Sequence, residues 1–281
     1  RENIDLTWDC TNGVIAASCT EEVIAAAESS GCIGLYLGME SGNKKVLRDI
    51  KKPGTVETFL AAANVLNQHE KIHSRVLLMI GFPGETYRQI LDTIDVAKQM
   101  NLDWYNVSPL QPLPNTSIFE EMLTAGLVNE DNFSEVRYKN SAYGKNNIQL
   151  QKGMRDLLST NFKDAFSVSD LDSVPTDTAL DDIWAYMNFH LNFKPLMNEN
   201  RPLKIQQQYD FVENITSIIV PNNAIAIYFL GYLQNKLHGS IPLELVNRLE
   251  DCLTKSSFWA DRFSDFQLAS SDLLAYTSDT N

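Results

Sequence analysis

The chain has 281 residues, 44% hydrophobic and 21% charged, with a net charge of −13, enough for one large α/β domain with an appendage or for two modest domains. The acidity argues against a nucleic-acid or anionic-membrane surface, which needs clustered Lys and Arg, and it is spread evenly, with 10 basic and 16 acidic residues up to Ala125 and 13 and 20 after it. No apolar run approaches the roughly 20 residues of a membrane span and no N-terminal segment reads as a signal peptide, so a soluble, cytoplasmic protein without a nucleic-acid partner is expected.

Ile4, Leu6 and Trp8 alternate as a first strand would and give way to a polar turn at Cys10-Thr11-Asn12-Gly13. Thr20-Glu21-Glu22 opens a helix carrying Val23, Ile24, Ala26 and Ala27, with acids in its first turn, and Gly31 closes it. The second strand is Ile33 to Gly42, IGLYLGMESG, an apolar run that ends in a carboxylate, a hydroxyl and a glycine. That is the end of a strand at which α/β proteins hold ligands. A helix with Val46, Leu47 and Ile50 follows and is broken at Lys51-Lys52-Pro53-Gly54; Thr55 caps the next, whose apolar face is Val56, Phe59, Leu60, Ala63 and Leu66.

The third strand is Arg75 to Gly81, RVLLMIG, apolar on both faces as a covered parallel strand is. Phe82-Pro83-Gly84-Glu85 makes a sharp turn, Thr86 leads into a helix ending near Asn101, and a fourth strand runs from Asp103 to Ser108 before Pro109-Leu110-Gln111-Pro112-Leu113-Pro114. Four strand-helix units in succession predict a parallel sheet with right-handed crossovers. Asn12, Glu40 with Ser41, Gly81 to Glu85, and Ser108 to Gln111 all fall at the same strand ends, so one ligand-binding rim is expected.

From Val128 to about residue 150 the chain is polar and reads as a linker or edge loop. Beyond it, 151–281 reads as an all-α region, with stripes at Met154, Leu157, Leu158 and Phe162; Leu180, Ile183, Trp184, Met187 and Leu191; Ile205, Tyr209, Val212 and Ile215; Ala224, Ile227, Tyr228, Leu230 and Leu233; and Leu245, Leu249 and Cys252 after Pro242. Ser270 to Asn281 is expected to fray.

The runs GLYLGMESGNKKVLRDIKKPGTVE, IGFPGET and SPLQPLPNTSIFEEM, with WDCTNGVIAASCTEEVIAAAESSGC before them, resemble the second half of a radical S-adenosylmethionine (radical SAM) domain. The nearest likeness is to the group that often carries an N-terminal cobalamin-binding domain. The resemblance covers roughly residues 1 to 125 and implies four units of a partial (β/α)6 TIM-like barrel, domain 1–127, followed by the helical region. It also implies S-adenosylmethionine and a [4Fe–4S] cluster as cofactors, with cobalamin in some members, an electron donor, and reductive cleavage of the cofactor to a 5′-deoxyadenosyl radical or cobalamin-assisted methyl transfer on an unknown substrate. By the same resemblance Glu40 and Ser41 face the cofactor's ribose and methionyl part, Lys52 pairs with its carboxylate, Gly81, Pro83, Gly84 and Glu85 shape the adenine side, and Leu110 and Gln111 approach adenine.

The sequence departs from the family pattern in three places. The CxxxCxxC loop that binds the cluster is absent, and a start at Arg1 within what reads as an inner unit makes this chain, by expectation, a piece of a longer protein that is inactive alone. Asn115 stands where the family usually has Gly, and Ile15 where a basic residue is common. Taken residue by residue, plainer roles compete: Glu40 as a carboxylate accepting backbone N–H bonds, Lys52 as a solvated lysine, Pro83-Gly84-Glu85 as a turn, and the cysteines as small buried hydrophobes. The rival reading is a non-catalytic, degenerate barrel that binds a protein partner through its helical region.

Overall fold

A computed structural model of the chain describes residues 6–126, 140–141, 144–145 and 165–278. It divides into two compact units, 1–147 with 166–191, and 148–165 with 192–281.

The first unit is built on a parallel sheet in the order β1-β2-β3-β4, with strands β1 (Trp8–Val14), β2 (Cys32–Glu40), β3 (His73–Ile80) and β4 (Trp104–Pro109). Between them run α1 (Glu21–Ser29), α2 (Lys44–Asp49), α3 (Val56–Leu66) and α4 (Tyr87–Met100), and α5 (Ser117–Thr124) follows β4. These are the four strand-helix units the periodicity predicts, in an α/β arrangement that fits part of a TIM-like barrel. Short polar side chains start the helices: Thr20 accepts from the Val23 N–H, Asn43 from Lys45 and Val46, and Thr86 pairs with Gln89 in a reciprocal cap. Asn101, in the left-handed region at φ 49°, closes α4.

The first strand corrects the sequence reading. It begins at Trp8 and continues through Cys10 to Val14, where a polar turn was expected. Between its pairings of Cys10 with Leu35 and Val14 with Leu37 the register shifts, so extra residues bulge, with Gly13 at φ 84°. Among the described residues it is an edge strand with one neighbour, and Thr11 and Asn12 are exposed there without cost to a core.

The sheet has two unlike faces. On the side covered by helices, Leu35, Leu37, Met39, Val76, Leu78, Ile80, Tyr105 and Val107 are all buried. The other, inner face carries Tyr36 and Gly38 on β2, Arg75, Leu77 and Met79 on β3, and Trp104, Asn106 and Ser108 on β4, matched across the strands by register up to a shift that brings Glu40 opposite Leu78. Most of these are only half-buried. Strands β5 (Asn140–Ser141) and β6 (Gly144–Lys145) form a short antiparallel pair, and α6 (Asp177–Asn188), predicted among the C-terminal helices, lies in this unit, where Trp184 Nε1 donates to the Val107 carbonyl at 2.8 Å.

The second unit is helical, with α7 (Pro202–Asn214), α8 (Ala224–His238), α9 (Leu243–Lys255), α10 (Ser257–Asp265) and α11 (Ser271–Leu274). The stripes read from sequence face its core: Val212, Ile227, Leu233 and Leu249 are fully buried, and so is Phe229, which the stripe did not include. The expected fraying does not hold from Ser270 to Ser278, because α11 buries Leu273 and β8 (Thr277–Ser278) pairs in parallel with β7 (Ile241–Pro242), and 279–281 lie outside the described residues. The stripe at Met154 to Phe162 and most of the expected linker lie outside the described residues. No helix among the described residues is long and apolar enough to cross a membrane.

Candidate functional site

The end of β2 is shaped by a bulge. Gly38 pairs with Leu77 and Glu40 with Leu78, so two residues of β2 advance against one of β3, and Glu40 takes a left-handed φ of 68°. A glutamate adopts that conformation at a cost of about 1–2 kcal/mol, and such strain concentrates where a side chain must be aimed. Its carboxylate accepts from Lys52 Nζ at 2.8 Å.

Lys52 is delivered by the end of α2. Lys51 sits left-handed at φ 55° and its N–H bonds the Arg48 carbonyl, while the Lys52 N–H reaches back to Leu47, the double closure normally made with a glycine. The pair lies over the inner face at Gly38, where an added Cβ would come within 3.2 Å of Lys52 Nζ and 3.4 Å of Glu40 Oε1. Both side chains keep about a fifth of their surface open, 23% and 20%.

Ser41 and Gly42 are placed differently. Ser41 is fully buried, its Oγ at 3.1 Å from Thr93 Oγ1, and the Gly42 N–H donates to the same Thr93 oxygen at 2.9 Å. A Cβ on Gly42 would meet Thr93 Cα at 2.7 Å. These two residues anchor the rim to α4.

The next loop, Gly81 to Glu85, is a turn closed by Glu85 N–H to the Phe82 carbonyl, with Pro83 and the left-handed Gly84 at its centre. Glu85 folds back into it: Oε2 accepts from the Gly81 N–H at 2.6 Å and the Phe82 N–H at 3.2 Å, and burial pushes the carboxyl up to about 7 against those lowering bonds. Leu110 continues the ladder past β4 through its N–H to the Ile80 carbonyl, and its side chain is buried; Gln111 follows it, half-buried, at the rim. Val46, Phe82, Leu110, Phe119 and Met122 form one apolar cluster, which binds α2, the Gly81–Glu85 turn, the end of β4 and α5 together. The structure thus gathers the predicted residues on one rim, with Glu40 and Lys52 in contact and Ser41, Glu85 and Leu110 holding the frame.

Asn115, a departure from the family pattern, has φ 66°. Asn tolerates that conformation best after Gly, so the turn keeps its shape. Ile15 is exposed.

Sequence reasoning missed the polar floor of the inner face. Arg75 Nη1 donates to Asp9 Oδ2 and to the Tyr36 hydroxyl, each at 2.9 Å, and its guanidinium lies over the Tyr36 ring. An arginine opening an otherwise apolar strand was the available signal. It also missed Thr93 and Asn106.

The donor set for an iron–sulfur cluster does not fit these residues. All four cysteines are described, three of them buried, and burial pushes Cys19 and Cys252 up to about 11, away from the thiolate that binds iron. Among the described residues no group of three His, Cys, Asp or Glu side chains could hold a metal.

Residues 1–97 match the family model of the Radical SAM superfamily. The chain is 27% identical over 128 residues, 46% of its length, to an uncharacterized methyltransferase of Pyrococcus horikoshii. It is 34% identical over 87 residues to a tRNA-2-methylthio-N(6)-dimethylallyladenosine synthase of Nitratiruptor sp. and 36% identical over 86 residues to the enzyme of that name in Fusobacterium nucleatum, in each case 29% of this chain. It spans only 27%, 20% and 19% of those relatives' own lengths. The segment similar to the Radical SAM superfamily, residues 1–97, carries β1, β2 and β3 of the parallel sheet, and β4 follows it.

Proposed function

We propose that Glu40 and Lys52, with the Gly81–Glu85 turn beside them, hold S-adenosylmethionine at the C-terminal rim of the sheet, within an enzyme that transfers a methyl or methylthio group. The carrying observation is the Lys52–Glu40 pair at 2.8 Å over the side-chain-free surface of Gly38. A zwitterionic amino acid matches that pair, carboxylate to Lys52 and ammonium to Glu40, by charge-assisted hydrogen bonds. When bound, S-adenosylmethionine supplies the reactive sulfonium; the protein's part is to bind and orient it and to exclude water from the rim with the Val46–Phe82–Leu110 cluster.

The names of the relatives favour group transfer over other radical chemistry. The net charge of −13 argues that this part of the protein does not itself bind RNA. The implied cluster finds no donor set among the described residues. An external electron donor and, for methyl transfer, cobalamin would assist that enzyme.

Calorimetric titration of the chain with S-adenosylmethionine tests the reading. Lys52→Met and Glu40→Gln should each weaken binding about tenfold or more, the loss of one charge-assisted hydrogen bond, with circular dichroism unchanged. Wild-type affinity in both variants would refute the site. The whole protein, reconstituted anaerobically with iron and sulfide, should cleave the cofactor on reduction, and added cobalamin tests the assisted route; absence of cleavage would favour the non-catalytic binding module.

A further inference from the structure

The middle of the inner face is neither packed like the helix side nor polar like the rim. Gly38, Leu77 and Asn106 lie in one row across β2, β3 and β4 by register. Neighbouring strands are about 4.8 Å apart, so the row is about 10 Å wide. Gly38 contributes no side chain and lies beneath the Lys52–Glu40 pair, Leu77 and Met79 remain half-open, and the side-chain oxygen of Asn106 is buried with no hydrogen-bond partner. About 7 Å down the strands, two residues along, Arg75 with Asp9 and Tyr36 closes the floor as a neutralised pair.

An amide oxygen buried without a donor costs about 1–3 kcal/mol. Such a cost persists where a ligand supplies the missing donor. From this row we infer that Asn106 is the residue that anchors the substrate in the chamber that the inner face forms below the rim. The substrate class is an uncharged group with an N–H or O–H donor on an apolar body. The donor meets Asn106 Oδ1, the apolar body lies on Leu77 and Met79, and the Arg75–Asp9 pair sets the depth. An anionic group is disfavoured, since Asp9 already neutralises Arg75, Glu40 pairs with the Lys52 ammonium over Gly38, and Asn106 offers its acceptor oxygen. The inference rests on S-adenosylmethionine occupying the rim above, so that a substrate here would lie next to it.

The test uses the full chain labelled with 13C at the methionine methyls, the Met79 signal assigned with Met79→Leu. Benzamide and benzoate, alike in shape and unlike in charge, serve as probes. Benzamide should shift the Met79 signal and benzoate should not. Asn106→Leu should weaken benzamide about fivefold or more, one neutral hydrogen bond, while Asn106→Asp, which keeps an acceptor, should retain it. S-adenosylmethionine affinity should stay at the wild-type value in Asn106→Asp, which separates this inference from the rim site. No Met79 shift with benzamide, equal binding of benzoate, or unchanged benzamide affinity in a folded Asn106→Leu would overturn it. Loss of cofactor binding in Lys52→Met with the Met79 response intact would leave the chamber standing, and the reverse would refute the chamber alone.

Discussion

Glu85 ties the stability of the first unit to pH. Its carboxyl is raised from an ordinary 4.5 to about 7 by burial, although Oε2 accepts two backbone N–H bonds. Between pH 4.5 and about 7 the folded chain therefore holds a proton that the unfolded chain has released, and stability must fall as pH rises through that interval. Each pH unit costs about 1.4 kcal/mol, about 3 kcal/mol over the whole interval, and the loss levels off above pH 7. Glu85→Gln keeps an oxygen for the Gly81 and Phe82 N–H groups and cannot ionise. The difference between the variant and wild type should thus grow with pH, with the variant gaining about 3 kcal/mol by pH 8. Urea unfolding followed by tryptophan fluorescence in a Trp259→Phe background reads this, because Trp8, Trp104 and Trp184 all belong to the first unit. A difference constant to within about 0.5 kcal/mol from pH 5 to 8 would refute the reasoning and mean that the two backbone N–H bonds, not burial, dominate the carboxyl.

Gly42→Ala should cost about 1–3 kcal/mol, because its Cβ meets the backbone of α4 at Thr93 and Asp92 and only a shift of the helix makes room. Thr93→Val should cost a similar amount by leaving the Gly42 N–H without its acceptor; thermal unfolding of either at the wild-type midpoint would show the rim anchored elsewhere. Asn115→Gly should be neutral or slightly stabilising and Asn115→Val destabilising by about 1–2 kcal/mol, since φ there is 66°. Incubated anaerobically with iron and sulfide, the 281-residue chain should take up no stoichiometric cluster by absorbance and iron assay, as its donor set implies.

The elements legible in sequence were those whose pattern and caps agree. Thr20, Thr55 and Thr86 mark three helix starts, and the apolar runs of β2 and β3 mark buried strands. β1 was misplaced because an edge strand need not be apolar, so Thr11 and Asn12 read as a turn. The rim could be located, but the division of labour on it could not. Glu40 and Ser41 are adjacent in sequence, yet the bulge and the left-handed Glu40 turn one toward Lys52 and bury the other against Thr93. Asn106 was invisible because an orphaned oxygen is a property of packing, not of pattern.

The energetics of the rim explain how it can be both fixed and open to a ligand. An ion pair like Lys52–Glu40, about four-fifths withdrawn from water, contributes little net, because the desolvation of both charges offsets their attraction, too little to hold α2 against the sheet. Burying Val46, Phe82, Leu110, Phe119 and Met122 contributes about 1.5–3 kcal/mol for each side chain, and those residues come from α2, the Gly81–Glu85 turn, the end of β4 and α5. The apolar cluster therefore sets the position of the loops, and the ion pair is left to aim two opposite charges at little cost when they exchange partners. A zwitterion that takes Lys52 with its carboxylate and Glu40 with its ammonium gives up one weak pair and gains two charge-assisted contacts. Since the loops are already in place, it binds without ordering the backbone first.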